Sequence, residues 1–95
     1  MTPTIISYYT NPPHSHGDYC ASRELPRGTK ILLTVNNKKK KWRKVLIVDD
    51  KCGIRGRIDL ASRFGFRGLT RANYRVIGHV VMKYRKAHDR WEVAK

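Results

Sequence analysis

Apolar and polar positions alternate along this chain in short runs, which is the two-residue period of β-strands rather than the longer period of helices. In residues 30–35, Ile31, Leu33 and Val35 share one face. Residues 4–9 supply Ile5, Ile6, Tyr8 and Tyr9, all residue types that favour a pleated strand. The stretch 42–48 closes on four consecutive apolar residues, Val45, Leu46, Ile47 and Val48, and then stops abruptly at Asp49 and Asp50. That pattern predicts a strand buried on both faces that delivers the two acids to the end of a sheet. Ile58 and Leu60 bring the chain back to the core with Asp59 held between them. A last long strand is predicted over 74–84, with Tyr74, Val76, Gly78, Val80, Met82 and Tyr84 on one face and Gly78 marking a bend or bulge.

The intervening segments carry turn chemistry. Residues 10–22 contain Asn, two Pro, Ser, Gly and Asp and read as a loop. Leu25-Pro26-Arg27-Gly28-Thr29 reads as a turn launching a strand, and Asn36-Asn37 opens a hairpin whose tip is Lys38-Lys39-Lys40-Lys41. Gly53 and Gly56 supply a permissive loop after the acids. Residues 60–64 suit a short helix stopped by Gly65 and Gly68, in which case Asp59 would cap it and Asp50 would bond loop amides. Residues 85–95 are polar apart from Trp91 and Val93 and read as a partly ordered tail. No internal repeat is visible.

Composition narrows the function classes. Ninety-five residues make one domain with a core of barely sufficient size, and a net charge of +14 calls for a polyanionic partner: nucleic acid, an anionic cell wall or a lipid surface. Lys38, Lys39, Lys40, Lys41, Arg43 and Lys44 are the densest part of that charge. No apolar run reaches the roughly 20 residues needed to span a membrane. The N-terminus lacks the basic-then-apolar order of a signal peptide, which suits a cytoplasmic product, one released by lysis, or a chain whose leader is missing. Against this charge, three of the seven acids, Asp49, Asp50 and Asp59, fall within eleven residues. Cys20 and Cys52 are equally compatible with a disulfide and with two buried thiols. With His14 and His16 they are zinc-type ligands, but their spacing fits no standard module, so no metal or cofactor is expected.

The turn at Leu25-Pro26-Arg27-Gly28-Thr29, the basic hairpin, Asp49-Asp50-Lys51-Cys52, the glycine loop and Ile58-Asp59-Leu60 together resemble the double-psi β-barrel domains. Barwin and expansin domains and the rare-lipoprotein-A type of lytic transglycosylase are the nearest in pattern, and membrane-bound lytic transglycosylase A is a more distant likeness. Asp50-Lys51-Cys52 followed by Asp59-Leu60 matches the barwin spacing. The likeness spans residues 6–84 and implies a mainly β protein: a six-stranded double-psi β-barrel with one or two short helices, core about 4–84. It also implies a Cys20–Cys52 disulfide. The chain departs from the pattern in having only two cysteines, and Ser22-Arg23-Glu24 where rare-lipoprotein-A domains carry a histidine.

The resemblance makes Asp59 the proton donor of a glycan-cleaving site, with Asp50 or Asp49 as its neighbouring carboxylate. Tyr8, Tyr9, Tyr19 and Trp42 are candidates for stacking on sugar rings, with Trp42 expected to be exposed, and His14 and His16 border the groove. The expected partner is peptidoglycan or another polysaccharide, met by a monomer acting as a lytic transglycosylase-like or endolysin-like protein. A non-enzymatic glycan-binding module and a basic nucleic-acid-binding barrel are the alternatives.

Overall fold

The computed structural model describes residues 1–9, 18–61, 64–66 and 68–94. Eight strands follow in order: β1 (Thr2–Tyr9), β2 (Tyr19–Ser22), β3 (Thr29–Asn36), β4 (Lys41–Asp50), β5 (Arg57–Ala61), β6 (Thr70–His79), β7 (Met82–Arg85) and β8 (Arg90–Val93). The first six close into a barrel in the order β1-β5-β2-β4-β3-β6, and β7 and β8 form a separate hairpin. The protein is therefore mainly β, built on a closed six-stranded barrel. Closure removes the exposed strand edges that would otherwise invite aggregation.

Two of the barrel's pairings are parallel, β1 with β5 and β2 with β4; the others are antiparallel. Inward positions fill the interior with Ile6, Cys20, Ile31, Leu33, Val35, Leu46, Val48, Ile58, Leu60, Phe66 and Ala72. The alternation read from β3 holds residue by residue, its buried positions being Thr29, Ile31, Leu33 and Val35.

Several elements differ from the sequence expectation. Val45 is 39% exposed, so β4 is buried on one face along most of its length rather than on both. The polar stretch 10–22 ends in a strand, because the four residues of β2 find partners on both sides. Leu60 and Ala61, expected to open a helix, are instead the end of β5; Asp59 is mid-strand and caps nothing. No α-helix occurs among the described residues, and Ser62 and Arg63 lie outside them. The predicted strand 74–84 is two strands broken at Val80 and Val81. The expected irregularity near Gly78 is present: Lys30 pairs with Gly78 and Ile31 with Val76, which leaves Ile77 as the extra residue of a bulge. The predicted tail contains β8, paired with β7 through Tyr84 with Trp91 and Lys83 with Glu92. Its turn closes on Asp89 at φ 50°, a conformation that Asp tolerates better than most residues.

Candidate functional site

The acids are brought together by strand register. Asp59 on β5 lies opposite Ser7 of β1 and Ala21 of β2, and Ala21 in turn lies opposite Asp50 of β4. Residues in register across adjacent strands project from the same face. The row Ser7–Asp59–Ala21–Asp50 thus crosses four strands on the outer wall, with two carboxylates on either side of a methyl group. Strand spacing puts the two aspartate Cα atoms on the order of 10 Å apart.

A bulge decides which of the two successive acids joins that row. Cys20 pairs with Val48 and Ala21 with Asp50, so Asp49 is the unmatched residue on β4. The bulge turns Asp49 inward, where it is 1% exposed, while Asp50 stays half-buried in the row and accepts a 2.8 Å hydrogen bond from the Lys51 amide.

Asp59 is held by β1, where the Ser7 hydroxyl donates to its Oδ1. The Cys52 thiol, on the loop between β4 and β5, lies near enough to feel its charge. That loop is fixed by the Arg23 guanidinium donating to the Gly53 carbonyl at 3.0 Å and by the Gly56 amide donating to Glu24 at 2.7 Å. Gly56 is further tied to β1, whose Ile5 amide donates to its carbonyl at 3.1 Å. Asp59 is left half-buried and held in one orientation.

Both cysteines are free thiols, which overturns the expected disulfide. Cys20 is 0% exposed within the barrel core, whereas Cys52 is occupied on its own loop, where its thiol donates to the Ile54 carbonyl and accepts from the Ile54 amide, both at 3.5 Å. Burial, and then the charges of Asp49 and Asp59, push the Cys20 thiol far up. Burial likewise raises Cys52, with Asp59 adding to it against the Ile54 amide. Thiolate is the reactive form, so neither cysteine is expected to react with Ellman's reagent at pH 7 in the native protein, and two equivalents are expected in denaturant. Fast reaction of the native protein, or none after denaturation, would contradict this. The folded state holds these protons more tightly than the unfolded chain, whose thiols titrate near 9.0. The associated stability is complete below that pH and declines as pH rises above it, by at most about 1.4 kcal/mol per pH unit for each thiol. Cys20→Ala is expected to lose its share of this slope in thermal melts between pH 8 and 10.

The remaining candidates separate. Tyr19 is half-buried two residues before Ala21, and so on the same face as the row. Tyr8 is 39% exposed, and its backbone pairs with Leu60. Tyr9 is placed by its backbone alone, opposite Ala61. His14 and His16 lie outside the described residues. Trp42 is half-buried rather than exposed, packed edge-on against Phe66 at 5.0 Å and Phe64 at 6.0 Å. It lies eight residues from Asp50 along β4, roughly 26 Å away at strand rise. It closes the barrel and does not join the carboxylates.

A groove of about 660 Å³ runs over the wall between Pro3, Ile5, Gly56, Arg71, Asn73, Asn36 and Asn37. Ile5, at the edge of this groove, is two residues before Ser7 on β1, so the groove ends one same-face step short of the acidic row. At Asn37 it meets a second groove of about 490 Å³ lined by Lys38, Lys39 and Lys40 with Gly65, Phe66 and Thr70. The lysine tip is ordered by Asn37, whose Oδ1 accepts from the amides of Lys39 and Lys40 at 2.8 Å each. Lys40 reaches back over the Phe66 ring at 4.1 Å, and Lys44 pairs with Asp18 at 3.5 Å.

Ser7 was not legible as a partner of Asp59, because a parallel pairing between strands fifty residues apart leaves no local trace. No family model, no curated protein and no solved structure matches this chain.

Proposed function

We propose that the row Ser7–Asp59–Ala21–Asp50 is a glycan-cleaving site and that the protein acts on peptidoglycan in the manner of a lytic transglycosylase. The observation that carries the reading is the register itself. It places two of only seven acids on one outer face of a strongly basic protein, one of them oriented by Ser7. The accompanying fold reading, a double-psi barrel, is supported by the two parallel pairs set among antiparallel neighbours.

With Ser7 holding Oδ1, Oδ2 of Asp59 is the atom to meet a glycosidic oxygen. Asp59 gives its proton to the leaving oxygen as the bond to the anomeric carbon breaks. The sugar's own primary hydroxyl then closes on that carbon and returns its proton to Asp59, so no water is consumed. Asp50 contributes negative potential toward the cationic transition state. Asn36, Asn37, Asn73 and Arg71 line the neighbouring groove and offer amide and guanidinium hydrogen bonds to sugar units. Co-sedimentation with insoluble peptidoglycan separates cutting from holding. Wild type is expected to release soluble fragments, and Asp59→Asn to stay with the pellet without releasing any. Absence of both proteins from the pellet, with no fragments, would end the reading.

A second contact, with an anionic polymer, is favoured by the hairpin tip, where no ion pair reaches Lys38, Lys39, Lys40 or Lys41 among the described residues. Changing these four to Ser lowers the net charge from +14 to +10 (14 − 4). The variant is expected to leave a phosphate-bearing matrix at clearly lower salt, with a shallower dependence of affinity on salt. An unchanged elution position would place the contact elsewhere.

A further inference from the structure

The hairpin β7–β8 is docked where the carboxylate row ends. Its approach is set by Gly28 at φ 96°, whose amide donates to the Val48 carbonyl at 2.8 Å and whose carbonyl accepts from Val80 at 2.9 Å. The neighbouring Arg27 is held just as firmly. Its Nε–H donates to the Asp49 carbonyl at 2.9 Å, its own carbonyl accepts from His79 Nε2 at 3.2 Å, and its guanidinium carbon lies 4.3 Å from the Trp91 ring centroid. Trp91 meets Tyr84 edge-on at 5.7 Å, and Tyr84 is 43% exposed.

Three features of this cluster go beyond anchoring a hairpin. The Gly28 clamp already fixes the hairpin, and neither Trp91 nor Tyr84 belongs to the barrel core. Arg27 spends one of its five N–H donors, and the four on its terminal nitrogens have no partner among the described residues. The hairpin's two acids are engaged elsewhere, Glu92 by Arg85, Arg90 and His88 and Asp89 by the Tyr84 hydroxyl. The result is an exposed, unneutralised guanidinium with a fixed plane, one residue in sequence from the Gly28 clamp and bonded to the residue before Asp50. It covers one face of the Trp91 ring, and Trp91 in turn meets the exposed Tyr84, aromatic rings of the kind that pack against a pyranose face.

We propose that Arg27, Trp91 and Tyr84 form a subsite for an acidic saccharide, Arg27 taking the ligand's carboxylate through its free N–H pair and the aromatic pair taking the ring. This rests on the glycan reading of the adjacent row and names the charge of the sugar unit it accepts. A planar guanidinium suits a carboxylate because two parallel N–H···O bonds can form at once.

Calorimetric titration in the Asp59→Asn background, which prevents turnover, compares a saccharide containing N-acetylmuramic acid with an uncharged N-acetylglucosamine oligomer of equal length. The acidic saccharide is expected to bind at least about tenfold tighter, since charge-assisted hydrogen bonds contribute roughly 1.5–3 kcal/mol. Arg27→Gln is expected to bring the two to parity, and Trp91→Ala to weaken both. Equal affinities with Arg27 intact, a measurement that needs no subsite variant, would overturn the subsite and leave the glycan reading standing. A preference that survives Arg27→Gln would do the same. Binding of neither saccharide would end both.

Discussion

Asp59→Asn is expected to lower the rate of peptidoglycan cleavage by about 10²–10⁴-fold, the usual contribution of a positioned proton donor. The substitution removes an ionisable proton and little else. An amide oxygen can still accept from the Ser7 hydroxyl, and the side chain keeps its shape on a half-buried wall position of β5. The melting temperature is therefore expected to move little while turnover collapses. Ser7→Ala tests the orientation separately: it leaves the acid present but releases Oδ1, and a partial loss of rate is expected. Equal activity of Asp59→Asn and wild type would remove Asp59 from the chemistry.

The largest stability effect is expected at Gly28. Its φ of 96° is costly for any residue with a Cβ, and a Cβ built there would overlap the Val80 carbonyl oxygen and lie 3.0 Å from the His79 ring. That oxygen is backbone, so relief requires the hairpin to move away from the turn. Gly28→Ala is expected to destabilise the protein by about 2–4 kcal/mol, a large share of the roughly 5–15 kcal/mol that holds a domain of this size. By the ordinary scaling, the melting temperature should fall by at least about 10 °C. Gly53→Ala is the matched control, because nothing lies within 4 Å of its would-be Cβ, and it is expected to be nearly neutral. Similar melting temperatures for the two variants would show that the Gly28–Val80 contact is not holding the hairpin.

These two residues mark the boundary of what local sequence could reveal. The alternation of Ile31, Leu33 and Val35, the abrupt end of β4 at Asp50 and the turn around Gly28 are written in neighbouring residues, and the structure carries all three. β2 was hidden because four residues after a run of turn formers show no period, and its pairing depends on strands far along the chain. The same holds for the choice between Asp49 and Asp50. A one-residue bulge decides it, and that bulge exists only in the pairing of β4 with Cys20 and Ala21. The helix expected after Asp59 lost to strand pairing: Leu60 and Ala61 gain hydrogen-bonded partners on β1 that an isolated short helix would not have. The residues alone left the disulfide open and the resemblance favoured it, but both cysteines are free thiols in this fold.

The hairpin β7–β8 is the instructive miss. Residues 90–93 read Arg-Trp-Glu-Val and do alternate, but so short a charged strand has no standing until Val80 is fastened to Gly28 and Ala94 to Val81. The proposed subsite therefore draws on a hairpin in which the sequence reading placed no site residue.

The most direct test is digestion of purified peptidoglycan by the wild-type protein, with the released material identified by mass spectrometry. The carboxylate row predicts soluble muropeptides ending in 1,6-anhydro sugars, formed in wild-type digests and absent from those of Asp59→Asn. Release of no soluble muropeptide by the wild-type protein would contradict it.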